Sequence, residues 1–315
     1  MAVEIKKVEN REVTLATGIF GESLIERFAR FAGVSESSRQ TYVKSLKQLL
    51  KYFAAQNITA PTRENLIEWI DELKETKSAS TVQLYTAATK IFFRWLEQAE
   101  LYRNIADHLK TGVKPSHNHK KDALSTEQCA DLIKNVKGTD EKNLRDRAIL
   151  ALMTTCGLRT IEVVRANVGD IRFERGKTFL YVQGKGHTDA DEKVLLPTQV
   201  HKLIKAYLKT RGKVQASDPL FVSTSKSNRG KRLQTQTISR MVKSNLRDIG
   251  LDSPRLTAHS LRHSVATNLV FAGIELPKVQ MILRHKSIGT TLIYADAWQR
   301  YQNDGEQFLA NGIFI

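Results

Sequence analysis

The chain has 315 residues, with 49 Lys and Arg against 33 Asp and Glu, a formal charge of +16 and 41% hydrophobic residues. That length suggests roughly two domains, and the apolar content is enough for real cores. No apolar run approaches the roughly 18–20 residues that span a bilayer, and the opening MAVEIKKVENREV contains none of the signal-peptide kind. Two cysteines, Cys129 and Cys156, make neither a disulfide framework nor a thiolate metal site. A membrane protein, a cysteine-stapled secreted fold and a thiolate zinc module are excluded, and a reduced cytoplasmic setting is expected. The charge is uneven: residues 21–110 carry 13 basic and 11 acidic side chains, whereas residues 123–315 carry 30 and 18. A folded C-terminal part with that surplus points to a polyanionic partner, most often nucleic acid.

Residues 1–20 show no clear period and are expected as an arm. Four helices follow. A short one carries Ile25, Phe28, Ala29 and Phe31. The next, from Ser35 to Ala55, has Tyr42, Val43, Leu46, Leu49, Leu50 and Phe53 at helical spacing. Thr62 to Glu75 places Leu66, Trp69, Ile70 and Leu73 on one face, and Ser80 to Gln98 does the same with Tyr85, Ala88, Ile91, Phe92, Trp95 and Leu96. Short links favour a compact bundle over 21–106. The period fails in the polar, basic stretch 107–122, DHLKTGVKPSHNHKKD, which reads as a linker. His117 and His119 within it lack a neighbouring carboxylate or thiolate cluster, so no metal is expected.

A second domain, 123–302, opens with Ser125-Thr126-Glu127-Gln128, a capping-box pattern. A helix over 141–155 stops at Gly157, and a short one covers 160–166. Strands are predicted at 171–174, 179–182 and 193–196, the last two flanking a Gly184-Lys185-Gly186 turn. Helices return at 198–210, 234–248, 259–272, 276–284 and 288–295. The tail, 303–315, is mixed in character and ends in FLANGIFI. The expected fold is mainly α with a small antiparallel β-sheet.

Four local patterns carry candidate chemistry. Thr154 to Glu162 puts Arg159 at a helix start with Glu162 three residues on. Lys185 sits on the tight strand-to-strand turn. His259-Ser260-Leu261-Arg262-His263 sets His259 and Arg262 three apart on one helix face. Leu283-Arg284-His285 places His285 nine residues before Tyr294. Each pattern alone has an ordinary reading: a surface ion pair, a plain hairpin, a solvated helix face, a packed tyrosine.

In this order, on a basic domain, Arg159, Lys185, His259-x-x-Arg262, His285 and Tyr294 resemble the tyrosine recombinase (phage integrase) family, and no position of that pattern is missing. The length and domain plan are similar to short Xer-type and transposon integrases. The resemblance implies a four-helix core-binding (SAM-like) domain and an α+β catalytic domain. It also implies a site-specific recombinase that cleaves and rejoins DNA through a 3′-phosphotyrosyl intermediate, for integration or excision of a mobile element or resolution of DNA dimers. The implied partners are double-stranded DNA with inverted-repeat half-sites and a homo-tetramer on two sites, with a related recombinase or accessory proteins also compatible. A tail that docks on a neighbouring protomer is implied too, against the alternative of packing on its own domain.

Elementary chemistry supports the same residues. Cleaving a phosphodiester without metal needs charge stabilisation on the non-bridging oxygens, and the guanidinium forks of Arg159 and Arg262 match that geometry. Tyr294 is the chosen nucleophile and His259 the proton acceptor. Lys185 is the general acid for the leaving 5′-oxygen. His285 is a hydrogen-bond donor to the phosphate, Glu162 orients arginine and histidine side chains, and His263 faces elsewhere on the helix, as a packing or supporting residue. The sequence contains neither a GxxxxGK[ST] loop nor a GxGxxG after a strand, and no cofactor is expected. A type IB topoisomerase-like relaxing enzyme and a non-catalytic DNA-binding accessory protein remain the alternatives.

Overall fold

A computed structural model describes residues 22–31, 33, 36–112, 122–184, 189–285 and 287–314. The chain falls into two compact units, residues 1–116 and 117–315. The expected arm 1–20, the linker histidines His117 and His119, and Lys185 lie outside the described residues. Among the described residues no helix is long and apolar enough to cross a membrane.

The first unit is built on α1 (Glu22–Phe31), α2 (Glu36–Ala55), α3 (Arg63–Thr76) and α4 (Ala79–Gln98). The apolar stripes read in the sequence supply its core. Leu46, Leu49 and Phe53 from α2, Leu66, Trp69 and Ile70 from α3, and Phe92, Phe93 and Leu96 from α4 are buried together. Thr62 starts α3 through a capping box closed by Asn65, whose side chain accepts from the Thr62 N–H at 3.0 Å. Phe28 meets Phe92 edge to face at 5.3 Å between ring centres, the favoured aromatic geometry.

The second unit begins with α5 (Thr126–Asn135), where the Ser125–Gln128 capping box forms with hydrogen bonds of 2.9 and 3.2 Å. Next comes α6 (Glu141–Cys156), capped by Asp140. It buries residues on every side, Ala148 through Met153 among them, which makes it the central helix of the unit. α7 (Thr160–Arg165) leads through a 3-10 turn into an antiparallel meander of β1 (Ile171–Glu174), β2 (Lys177–Val182) and β3 (Glu192–Leu195), in that order. Arg175 and Gly176, both with positive φ, make the two-residue turn between β1 and β2, the turn that suits the twist of paired strands. In the register Leu180↔Val194, both side chains face the core.

α8 (Thr198–Arg211), α9 (Thr235–Asp248) and α10 (Ala258–Phe271) complete the main core. α10 is buried on two sides. Leu261 faces the main core, while Val265, Ala266 and Val270 face a smaller cluster with Val279 and Leu283 of α11 (Leu276–Leu283) and Tyr294 of α12 (Gly289–Gln302). Leu124 anchors the opening of the unit to α10 by donating its N–H to Ser264 Oγ at 2.7 Å. Two helices differ from expectation. α12 extends seven residues beyond 295, so Tyr294 sits in mid-helix rather than in the last turn. The tail is helical, α13 (Gly305–Ile313), with no buried residue and with Phe314 84% exposed.

Replacing Phe92 by Ala is expected to destabilise the first unit by about 3–5 kcal/mol, the usual cost of deleting a fully buried aromatic ring. Urea unfolding of the full chain, followed through Trp69 and Trp95 fluorescence, measures it. An unchanged midpoint would remove the aromatic contact from the core.

Candidate active site

α6 ends at Gly157, whose φ of +62° suits glycine; a Cβ there would meet Leu283 Cδ2 at 2.7 Å. Leu158 is then buried, and the next residue, Arg159, is the N-cap of α7. Glu162 lies one turn on, with 0% exposure. Its carboxylate accepts from the Arg159 N–H at 2.9 Å and pairs with Arg159 Nη1 at 2.6 Å. It also pairs with Arg284 Nη2 at 2.8 Å. Burial alone would raise the Glu162 carboxyl. Arg284, the Arg159 N–H and the guanidiniums of Arg262 and Arg159 outweigh that and hold it below the usual carboxylate range.

Arg262, on the first turns of α10, is 3% exposed. It donates from Nη1 to Gly157 O at 2.6 Å and from Nη2 to Leu283 O. Arg159 Nη2 in turn donates to Arg284 O at 3.4 Å. Two helix C-termini, those of α6 and α11, thus turn their unpaired carbonyls onto guanidiniums. Burial, reinforced by Arg159, brings the Arg262 guanidinium down to about 9.

His285 follows α11 and hydrogen-bonds through Nδ1 to Thr291 Oγ1 on α12 at 3.0 Å. Burial first, then Arg262, Arg159, Arg284 and His259, bring its imidazole down to about 4, so it is neutral near pH 7. Tyr294 is 6% exposed, and burial raises its phenol against the opposing pull of Arg262. Its ring lies 5.0 Å from that of His263. His259 is exposed and, with Arg159, Arg262, Arg240 and Lys243, lines a cleft of about 680 Å³.

Arg159, Glu162, His259, Arg262, His285 and Tyr294, separated in the sequence by up to 135 residues, therefore meet around two guanidiniums. Three features were not read from the sequence. Arg284, noted only as part of Leu283-Arg284-His285, is a partner of Glu162, because an Arg at a helix C-terminus ordinarily reads as a surface complement to the dipole. Thr291 holds His285. His263, expected only as a packing or supporting residue, has Tyr294 as its partner, because α12 packs back along α10. Burial pushes the Cys129 thiol up to about 11 and Cys156 up to about 12, so neither is a thiolate at neutral pH. Among the described residues no group of three or more His, Cys, Asp or Glu side chains is placed to hold a metal ion.

The depressed His285 gives a pH signature. Its folded pKa lies below the unfolded value of about 6.5, so the unfolded chain takes up the proton first as pH falls. The stability it contributes is whole above about pH 6.5 and is lost as pH drops through 4. Urea midpoints of the full chain are expected to fall between pH 6.5 and 4.5, and His285→Asn to flatten that fall. An identical slope in the variant would place His285 in solvent.

The family model described as "Phage integrase family" matches residues 122–300, and "Phage integrase, N-terminal SAM-like domain" matches residues 25–100. The chain is 30% identical over 243 residues to tyrosine recombinase XerD of Halalkalibacterium halodurans, covering 73% of this chain and 77% of that one. It is 28% identical over 245 residues to tyrosine recombinase XerA of Pyrococcus horikoshii, covering 78% of each. Among solved structures, the XerH site-specific recombinase bound to difH substrate is similar with a TM-score of 0.69 and 22% identity, over 90% of this chain and 85% of that one. The Tn1549 transposon integrase in complex with transposon right end DNA gives 0.69 and 18%, over 89% and 94%. At those identities the structural likeness speaks for the fold alone. Family models match in both compact units, and the sequence relatives match along most of their length; the chain belongs to the phage integrase family and is a site-specific tyrosine recombinase, an enzyme that breaks and rejoins DNA.

Proposed function

We propose that Arg159 and Arg262 grip the scissile phosphate of a DNA duplex while Tyr294 attacks its phosphorus. The Tyr294 oxygen–phosphorus bond forms, the bond from phosphorus to the 5′-oxygen breaks, and a 3′-phosphotyrosyl link results. His259 takes the phenol proton, Lys185 gives a proton to the departing 5′-oxygen, and His285 donates a hydrogen bond to the phosphate. A 5′-hydroxyl of the partner strand reverses these steps and reseals the backbone. The observation that supports this reading is the buried, carbonyl-braced Arg262 on α10, with Tyr294 on the adjacent α12 close enough to feel its charge. Such a guanidinium is positioned before substrate arrives, so little reorganisation accompanies charge development.

Tyr294→Phe is expected to keep folding and DNA binding but to abolish the covalent adduct, because only the phenolic oxygen is lost. The wild-type protein is incubated with fragmented genomic DNA, the trapped DNA is sequenced, and a nicked duplex bearing the recovered site serves as substrate. Adduct formed by the variant would move the nucleophile elsewhere. Excess chelator is expected to leave wild-type cleavage unchanged; a strict need for a divalent ion would overturn the metal-free chemistry. The same sequencing separates a mobile-element end from a dimer-resolution site.

The reading extends to assembly. Inverted-repeat half-sites would each take one protomer, with the first unit and the catalytic unit both engaging the duplex, and two sites would join in a homo-tetramer inside the cytoplasm. The exposed Phe308, Leu309 and Ile313 of α13, with Phe314 just beyond it, support a tail that docks on the next protomer in a ring-closing contact. Burial of Tyr294 at 6% exposure supports a resting monomer that attacks only after that contact moves α12. Truncation after Gln302 is expected to preserve single-site binding in gel-shift assays while abolishing the two-site complex. Normal recombination by the truncated chain would deny α13 a part in assembly.

A further inference from the structure

The hydroxyl of Thr291 is used differently from those of the other buried threonines. Thr86 and Thr89, both buried on α4, donate to the carbonyls of Val82 and Tyr85 one helical turn back, at 2.9 and 3.0 Å. Thr154 on α6 donates in the same way to Leu150 O at 2.8 Å. That back-bond is the ordinary outlet for a hydroxyl inside a helix. Thr291 lies in the first turn of α12 with 0% exposure. The one hydrogen bond that its Oγ1 makes among the described residues is to His285 Nδ1, at 3.0 Å. A buried hydroxyl whose proton finds no acceptor is costly. The imidazole nitrogen is the acceptor at hand, so the proton runs from Thr291 to His285 and not the reverse.

The direction of that bond matters because the rest of His285 is already fixed. Its N–H donates to Gln280 O at 3.1 Å, and its carbonyl accepts from Gln280 Nε2 at 3.0 Å. Burial first, then the nearby Arg262, Arg159 and Arg284, disfavour the imidazolium, so the ring is neutral near neutral pH. A neutral imidazole has one N–H and one bare nitrogen. The hydrogen bond made by one nitrogen sets which of the two carries the proton. Nε2 makes no hydrogen bond among the described residues, which leaves it for a ligand. With its proton on Nε2 the ring attracts a phosphate oxygen; with the proton on Nδ1 it turns a lone pair towards an anion. We propose that Thr291 is a positioning residue: its hydroxyl donates to His285 Nδ1 and so leaves the single imidazole proton on Nε2, the nitrogen open to the scissile phosphate. This inference rests on the proposed role of His285 as a hydrogen-bond donor to that phosphate.

The test reads the tautomer directly and the reaction beside it. The full chain, isotope-labelled at its histidine nitrogens, is studied near neutral pH by two-bond nitrogen–proton correlation. The His285 signals are identified by their loss in His285→Ala. Wild type and Thr291→Ser, which keeps the hydroxyl, are expected to show a bare Nδ1 and a protonated Nε2. Thr291→Val, nearly the same shape without the hydroxyl, is expected to show the two tautomers mixed. Cleavage of a nicked duplex bearing the site recovered from the wild-type adduct is expected to slow about tenfold in Thr291→Val, part of the roughly 100-fold effect of losing one preorganised donor. Thr291→Ser is expected to cleave at close to the wild-type rate. A proton on Nδ1 in the wild type overturns the proposal, and that spectrum needs no variant. Equal slowing of Thr291→Val and Thr291→Ser overturns it too, because packing rather than the hydroxyl would then matter. So does wild-type cleavage by Thr291→Val. His285→Ala is the reference for the donor itself. If it cleaves at the wild-type rate, the phosphate-donor reading of His285 fails, and the role of Thr291 falls with it.

Discussion

A single carboxylate organises the active-site side of the catalytic unit. Glu162 is fully buried at the start of α7, and its two oxygens are divided between Arg159 and Arg284. An isolated carboxylate in that position would be neutralised by burial. Flanking guanidiniums keep it charged, and the carboxylate in turn lets three arginines approach one another, Arg262 and Arg284 almost wholly buried and Arg159 open to the cleft. Removing one partner from a buried pair generally costs about 3–5 kcal/mol, because the charge left behind has neither water nor counterion. Loss of Glu162 would leave the mutual repulsion of Arg159, Arg262 and Arg284 uncompensated.

The remaining compensation comes from backbone. Gly157 O and Leu283 O, at the ends of α6 and α11, accept from Arg262, and Arg284 O accepts from Arg159. Helix C-termini carry partial negative charge and unpaired carbonyls. Here those groups face cations rather than solvent. This explains why two helices must end where they do: Gly157 permits both the left-handed stop of α6 and the close passage of Leu283. With carbonyls and two carboxylates, Glu162 and Glu192, against three guanidiniums, the site keeps a positive balance. That balance suits an anionic phosphate, and it adds to burial, the larger cause, in keeping the nearby His285 imidazole neutral.

Tyr294 is placed by packing rather than by charge. It belongs to the small apolar cluster between α10, α11 and α12, with its ring against His263. A phenol held in this way is insulated from water and has its ionisation suppressed. The movement of α12 proposed for the assembled complex would act on this packing, and α12 is followed within three residues by the exposed α13.

The sequence by itself determined the features that local spacing controls. The stripes of α2, α3 and α4, the capping box at Ser125, the stop at Gly157 and the three short strands were legible because periodicity and cap chemistry act within a few residues. The ordered residues Arg159, Lys185, His259, Arg262, His285 and Tyr294 were legible as a set only through their resemblance to the tyrosine recombinase family. Each sits at a fixed offset from a recognisable helix end or neighbour. Tertiary structure alone decided what those offsets meet. Helical spacing put His263 off the Arg262 face, yet could not say that α12 would bring Tyr294 to it. Arg284 read as an ordinary basic residue at a helix end, and its burial between Glu162 and Glu192 depends on chain 122 and 92 residues away. Glu162 read equally well as half of a surface pair. Angular position on one helix is a local property, whereas burial and partner are set by which distant segments fold against it.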